Sequence, residues 1–254
     1  MASIHAKSRS ARLLNAVLSS SVRSPSQTGK FLSTWLRCPI EYMAQKEMER
    51  TPITNFAEMF PLAAALSVSV PIENFNRHSW NVRVDEEMMI GLIIQALDAK
   101  QIFEIGTFNG STTRHMAERA GLDCHVHTLD LPPESFNLTQ KPDATFFGSR
   151  VGEKFSGTLE AGRITQLLGD SKTFDYSPYE GKCDFVFVDA GHDYAHGLPD
   201  SKNALKLARP GGVIVWHDYV PFWSGLIHGI REATAGLPSR RIGGTTLAVL
   251  RTKS

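Results

Sequence analysis

Short apolar runs that stop abruptly at glycines, acids or histidines recur along the second half of the chain. QIFEIG (101–106), HVHTLDL (125–131), ITQLLGD (164–170), CDFVFVDA (183–190) and VIVWHD (213–218) are each of strand length. They are rich in β-branched or aromatic residues, which predicts five strands. Helical spacing separates them. From Asp85, Met88, Met89, Leu92, Ile93 and Leu97 recur on one face, and residues 111–120, the stretch through Leu205 and Leu207, and residues 226–233 read likewise. Arg209-Pro210-Gly211-Gly212 reads as a turn. RRIGG and TTLAVLRT near the end read as two strands joined at Gly243-Gly244. Residues 132–162, with many Pro, Gly and Phe, read as a loop or short-helix insertion.

Strands alternating with helices imply an α/β domain with a mostly parallel, doubly wound sheet covered on both faces. The terminal pair adds one antiparallel strand, so the expected fold is a Rossmann-like seven-stranded sheet. The domain is expected over residues 81–254, with a helical N-terminal extension over 41–80 and a basic, acid-free arm over 1–40. In open sheets of this kind ligands sit at the carboxyl ends of the strands, where the strand order reverses. The polar strand tips are therefore expected to share one edge.

Composition adds little to this except at the start. A net charge of +1 over 254 residues argues for neither nucleic-acid binding nor a membrane surface. No apolar run approaches the roughly 20 residues that span a bilayer. Cys38, Cys124 and Cys183 have no metal-knuckle spacing and suit a reducing, cytoplasmic setting. Residues 1–40 hold no acid but carry Lys7, Arg9, Arg12, Arg23, Lys30 and Arg37, with Leu14, Val17, Leu18 and Val22 on one helical face. Two readings stand open: an arm or helix that docks on a partner subunit in a homo-oligomer, or a mitochondrial or plastid transit peptide.

FEIGTFNGSTT (103–113) leaves the first strand of the domain and enters a helix. Gly106 permits a tight turn and Gly110 a close backbone approach. The spacing is not the G-x-G-x-x-G of dinucleotide sites. Glu104 lies inside the strand end, where an acid is costly without a partner; a cationic ligand group would supply one. Asp130 ends the second strand, in the position that accepts hydrogen bonds from ribose hydroxyls in nucleotide-binding sheets.

Two further strand tips carry D-x-x-H (Asp189, His192) and H-D (His217, Asp218). Carboxylates suit a hard divalent cation such as Mg2+, and a mixed His/Asp set also accepts Mn2+. A nearby His could instead take a proton. Asp189 could also simply cap the next helix, and His217 could be a core histidine with its hydrogen bonds satisfied.

The run E-I-G-T-F-x-G-S-T resembles motif I of class I S-adenosylmethionine (SAM)-dependent methyltransferases, and the likeness extends from about Trp80 to the C-terminus. It is nearest to the small-molecule O-methyltransferases with a catechol-methyltransferase-like core, a group that also serves sugar and natural-product pathways. The resemblance implies that Glu104, Gly106, Thr107, Asn109, Gly110 and Ser111 hold the methionine end of SAM and that Asp130 holds the ribose. It also implies that the loop at Gly169, Asp170 and Ser171 meets adenine, and that Trp80-Asn81-Val82 closes over the cofactor. Asp189, His217 and Asp218 would be the metal positions, Mg2+ being expected, and His192 the base. His217 departs from the family, which has an acid or amide there, and Ser111 departs from a frequent Tyr. The expected activity is O-methylation of a small hydroxylated acceptor, sugar or phenolic, with a divalent metal. The alternatives are a metal-free enzyme with a His base and a SAM-binding, non-catalytic partner subunit.

Overall fold

The structure, a computed structural model, describes residues 25–67, 80–136 and 150–253. Most of the arm (1–24), the end of the extension (68–79) and the middle of the insertion (137–149) lie outside the described residues.

Eight strands form one sheet: β1 (Ile53–Thr54), β2 (Gln101–Ile105), β3 (His125–Asp130), β4 (Ile164–Leu168), β5 (Cys183–Val188), β6 (Ala208–Trp216), β7 (Arg240–Ile242) and β8 (Ala248–Arg251). Their order across the sheet is β1-β7-β8-β6-β5-β2-β3-β4. All pairs are parallel except those of β8, which runs antiparallel between β6 and β7. The expected seven strands are present, with β1 as an eighth. Two residues between Pro52 and Asn55 are too short to show any period, which is why the strand was not anticipated.

Helices cover both faces, as a parallel sheet requires. Helices α3 (Val84–Leu97) and α4 (Ser111–Arg119) close one face over Ile102, Val126, Phe185, Phe187, Val213 and Val215. The other face, with Phe103, Leu129, Val186, Ile214 and Trp216, packs under α6 (Tyr194–Leu207) and α7 (Ser224–Ala233). Every residue of β5 is buried. The short α2 (Phe56–Met59) is capped by the Asn55 side chain, which accepts from the Ala57 N–H. A second single-turn helix, α5 (Pro133–Phe136), opens the insertion.

Helix α1 (Pro25–Glu49) runs without a break past residue 40, where arm and extension were expected to divide. It docks on α7 through Arg231, whose Nε donates to Glu47 at 3.3 Å. Just beyond it, the Thr51 and Tyr219 hydroxyls meet at 2.9 Å. One local expectation changes: Arg209-Pro210-Gly211-Gly212 is not a turn before the strand but an irregularity within β6. Cys183 pairs with Ala208 and Phe185 with Val213, so the extra β6 residues bulge out, helped by the left-handed Gly211 (φ 77°).

Candidate functional site

The chain steps from β2 outward to β3 and β4, then returns to β5 on the other side of β2. This is the reversal point at which a crevice opens. Register aligns the tips: Ile105 pairs with Val188 and Val188 with Trp216, so Gly106, Asp189 and His217 follow side by side. A cleft of about 910 Å³ lies over them. All of the strand-tip acids and histidines singled out in the sequence line it: Glu104, Asp130, Asp189, His192, His217 and Asp218.

At one end the β2–α4 turn is shaped by its glycine and by Asp130. Gly106 has φ 101°, and a Cβ there would lie 2.1 Å from the Asp189 carbonyl oxygen, so no side chain fits. Asp130 Oδ2 accepts from the Thr107 and Phe108 N–H groups at 2.9 and 2.7 Å, and Oδ1 from the Leu131 N–H at 2.7 Å. The acid therefore moulds the turn: Oδ2 is filled by two donors, and Oδ1, with one, keeps a lone pair for a ligand hydroxyl. Burial pushes its pKa up.

Glu104 is 1% exposed and accepts from the Thr113 and Thr128 hydroxyls, both on the same oxygen, Oε2. Burial drives its carboxyl up to about 8 in spite of these two donors. A buried acid so poised suits a cationic ligand group, which is the fit expected for the ammonium of SAM. Thr107 and Asn109 also line the cleft, as do Gly169, Asp170, Ser171, Trp80, Asn81 and Val82. Gly110 and Ser111 do not. Gly110 is bare because it packs on Phe155, whose ring a Cβ would meet at 2.5 Å. Ser111 donates its N–H to Asn109 Oδ1.

At the other end, Asp189, His192 and Asp218 can each offer one ligand atom within 4.8 Å of the others. His192 Nε2 lies 2.9 Å from Asp218 Oδ2, and its ring stacks on Trp223 at 4.5 Å. Asp218 adopts a left-handed backbone (φ 56°), an uncommon conformation for a non-glycine residue and one that recurs at functional sites. Burial raises the Asp218 pKa, but His192 and His217 outweigh it and hold the group below the usual carboxylate range. Asp189 does not cap α6; that role belongs to Asp193, which accepts from the His196 N–H.

His217 is placed apart from this donor set. Its Nδ1 lies 3.1 Å from Asp189 Oδ1 and its Nε2 lies 3.2 Å from Glu86 Oε2, so both ring nitrogens face carboxylates. Burial would lower its pKa, but Asp189, Glu86 and Asp218 together push it up to about 11. Glu86 was not singled out in the sequence. It is fully buried in the first turn of α3, and its other oxygen accepts from the Thr246 N–H at 2.6 Å and hydroxyl at 2.9 Å. In sequence it looks like any helix-starting acid, one of three in a row. Only the packing of α3 against the β7–β8 turn reveals its role.

A doubly wound sheet with an inserted antiparallel strand, a glycine turn over the reversal point and paired acids at the β2 and β3 tips form the arrangement that the resemblance to class I SAM-dependent methyltransferases implies. Residues 103–219 match a family model described as a methyltransferase domain. Among curated relatives, a caffeoyl-CoA O-methyltransferase 2 of Petunia hybrida is 26% identical, covering 59% of this chain and 59% of that protein. A flavonoid 3',5'-methyltransferase of Vitis vinifera is 28% identical, covering 57% of each. The chain thus spans less than two thirds of the length of these relatives. The SAM complex of the O-methyltransferase TomG from Streptomyces achromogenes shares the fold at a TM-score of 0.54 and 20% identity, covering 81% of this chain and 98% of that one. Among the described residues no helix is long and apolar enough to cross a membrane.

Proposed function

We propose that this chain is a SAM-dependent O-methyltransferase acting on a small phenolic acceptor, assisted by a divalent cation. The observation that carries the proposal is a single cleft with two chemically distinct ends: Glu104 and Asp130 at one, Asp189, His192 and Asp218 at the other. The sequence relatives named for caffeoyl-CoA and flavonoid methylation favour a phenol over a sugar.

Glu104 would take the ammonium of the cofactor and Asp130 the ribose hydroxyls, which fixes the reactive sulfonium between the two ends. Asp189 and Asp218 would hold the cation, with His192 within reach as a third donor; so oxygen-rich a set favours Mg2+. When bound, SAM supplies an electrophilic methyl group and the cation supplies Lewis acidity toward the acceptor hydroxyl. As the methyl group passes to the acceptor oxygen, a ring nitrogen of His192, or water, would take the hydroxyl proton. Trp223, stacked on His192, offers an aromatic wall beside the acceptor.

The 2.9 Å approach of His192 to Asp218 supports a second reading, in which the carboxylate orients His192 as a base and no metal is used. Turnover of SAM with a panel of catechols, titrated with chelator and Mg2+, separates the two. Asp189→Ala is expected to abolish turnover while S-adenosylhomocysteine (SAH) still binds. Full activity of that variant in excess chelator would overturn the metal assignment. SAH binding without turnover of any hydroxylated acceptor would overturn the enzyme assignment.

A further inference from the structure

Against the strand tips, and sharing Asp189, Gly191, His192 and His217 with the main cleft, lies a second and much smaller cavity of about 10 Å³. Asp189, Gly191, His192 and His217 line it from the tips, and Gly197, Asp200 and Leu226 from the helices beneath. Asp200 stands midway along α6, only 1% exposed. Neither of its carboxylate oxygens makes a hydrogen bond of good geometry among the described residues, although the Ser171 hydroxyl lies near enough to act on it. Burial pushes its carboxyl up to about 6, against the pull of the nearby Ser171 hydroxyl.

A buried carboxylate with two unsatisfied oxygens is costly and unusual. The surroundings give it a reason. The cavity is mostly apolar but carries polar groups of Asp189, His192, His217 and Asp200, and it is about the size of one probe sphere, the least that holds a water molecule. It opens on the underside of the Asp189–His192 loop, whose residues also face the main cleft. The same helix touches the opposite end of that cleft: Asn203 Nδ2 donates to the Ser171 carbonyl at 3.3 Å, and Tyr176 donates its hydroxyl to the same oxygen at 3.0 Å. The loop has little slack of its own, since a Cβ on Gly191 would lie 2.5 Å from the His196 ring.

We propose that Asp200 holds a buried water against the Asp189–His192 loop and so acts as a positioning residue for the acceptor end of the cleft. The water satisfies the carboxylate and bridges it to the loop. Asp200 touches neither substrate nor cofactor; it acts by setting where Asp189 and His192 stand. The kinetic part of the proposal rests on the methyltransferase reading, but the structural part does not.

The test compares Asp200→Asn, which keeps polar groups for the water, with Asp200→Leu, which fills the cavity with apolar atoms. Amide exchange over residues 189–192, SAH affinity, and kcat and KM on a catechol are measured for each, after melting curves confirm folding. Asp200→Leu is expected to speed exchange over the loop and lower kcat roughly tenfold, with SAH affinity unchanged. Asp200→Asn is expected to restore both readouts to within about twofold of wild type. Wild-type exchange and kcat in Asp200→Leu would overturn the proposal, as would equal losses in both variants. If the wild type turns over no acceptor, the methyltransferase reading fails and loop exchange decides the proposal alone.

Discussion

Replacing Glu104 by Gln removes a charge while keeping the shape and an oxygen that can accept from Thr113 and Thr128. In the ligand-free protein the carboxyl is pushed up to about 8 from a reference of 4.5. Between those values the unfolded chain has released the proton and the folded protein has not. The unfolded state therefore binds fewer protons, and this group's contribution to stability falls as pH rises from 4.5 to about 8, then levels off. The slope is at most about 1.4 kcal/mol per pH unit, or about 5 kcal/mol over the whole window. A cationic ligand reverses the sense. If the SAH ammonium sits against Glu104, binding favours the ionised acid, and affinity rises with pH. Calorimetric titration of SAH from pH 6 to 8 should show Kd falling by up to about tenfold per pH unit in the wild type. Glu104→Gln should bind more weakly with a nearly flat profile, and its own melting temperature should gain on wild type as pH rises. The same Kd profile in both proteins would refute the placement of the cofactor's ammonium.

Two other substitutions probe the geometry around this acid. Gly106→Ala drives a Cβ into the Asp189 carbonyl at a left-handed position, so a loss of roughly 3 kcal/mol or more in chemical denaturation is expected, together with SAH binding; near-wild-type values would show that the turn is not so tightly held. His217→Asn leaves Asp189 and Glu86 without the cation between them. Because the folded pKa of His217 is raised to about 11 from 6.5, its stabilisation is whole below pH 6.5 and is lost as pH rises toward 11. In metal-free protein the variant should be about 3 kcal/mol less stable at pH 6, and urea denaturation should show the gap narrowing by pH 10; a gap independent of pH would contradict a charged His217.

Much of this site was legible in the sequence because strand tips announce themselves. A run such as FVFVD or VIVWHD tells where a buried strand ends, and parallel pairing then brings those ends to one edge. Glu104, Asp130, Asp189, His192 and Asp218 were singled out on that logic together with the resemblance to motif I, and all five line one cleft. What failed to show was anything set by contacts between distant elements. Glu86 and Asp200 lie in helices, where a lone acid usually means a solvated face or a helix start; burial by the β7–β8 turn and by the strand-tip loop gives them their meaning. His217 was singled out because it follows a strand, but the contact of its ring with Glu86, 131 residues away in sequence, could not be read there. Gly110 looked like a ligand-facing glycine but serves a packing contact with Phe155, from the insertion whose fold has no periodic pattern. Strand β1 was too short to register.

The most direct test of the two-ended cleft is a crystal structure with SAH and Mg2+. The SAH amino group is expected against Glu104, the ribose hydroxyls on Asp130, and metal density between Asp189 and Asp218 within reach of His192. SAH bound elsewhere, or with its adenine rather than its amino acid end at Glu104, would contradict this placement.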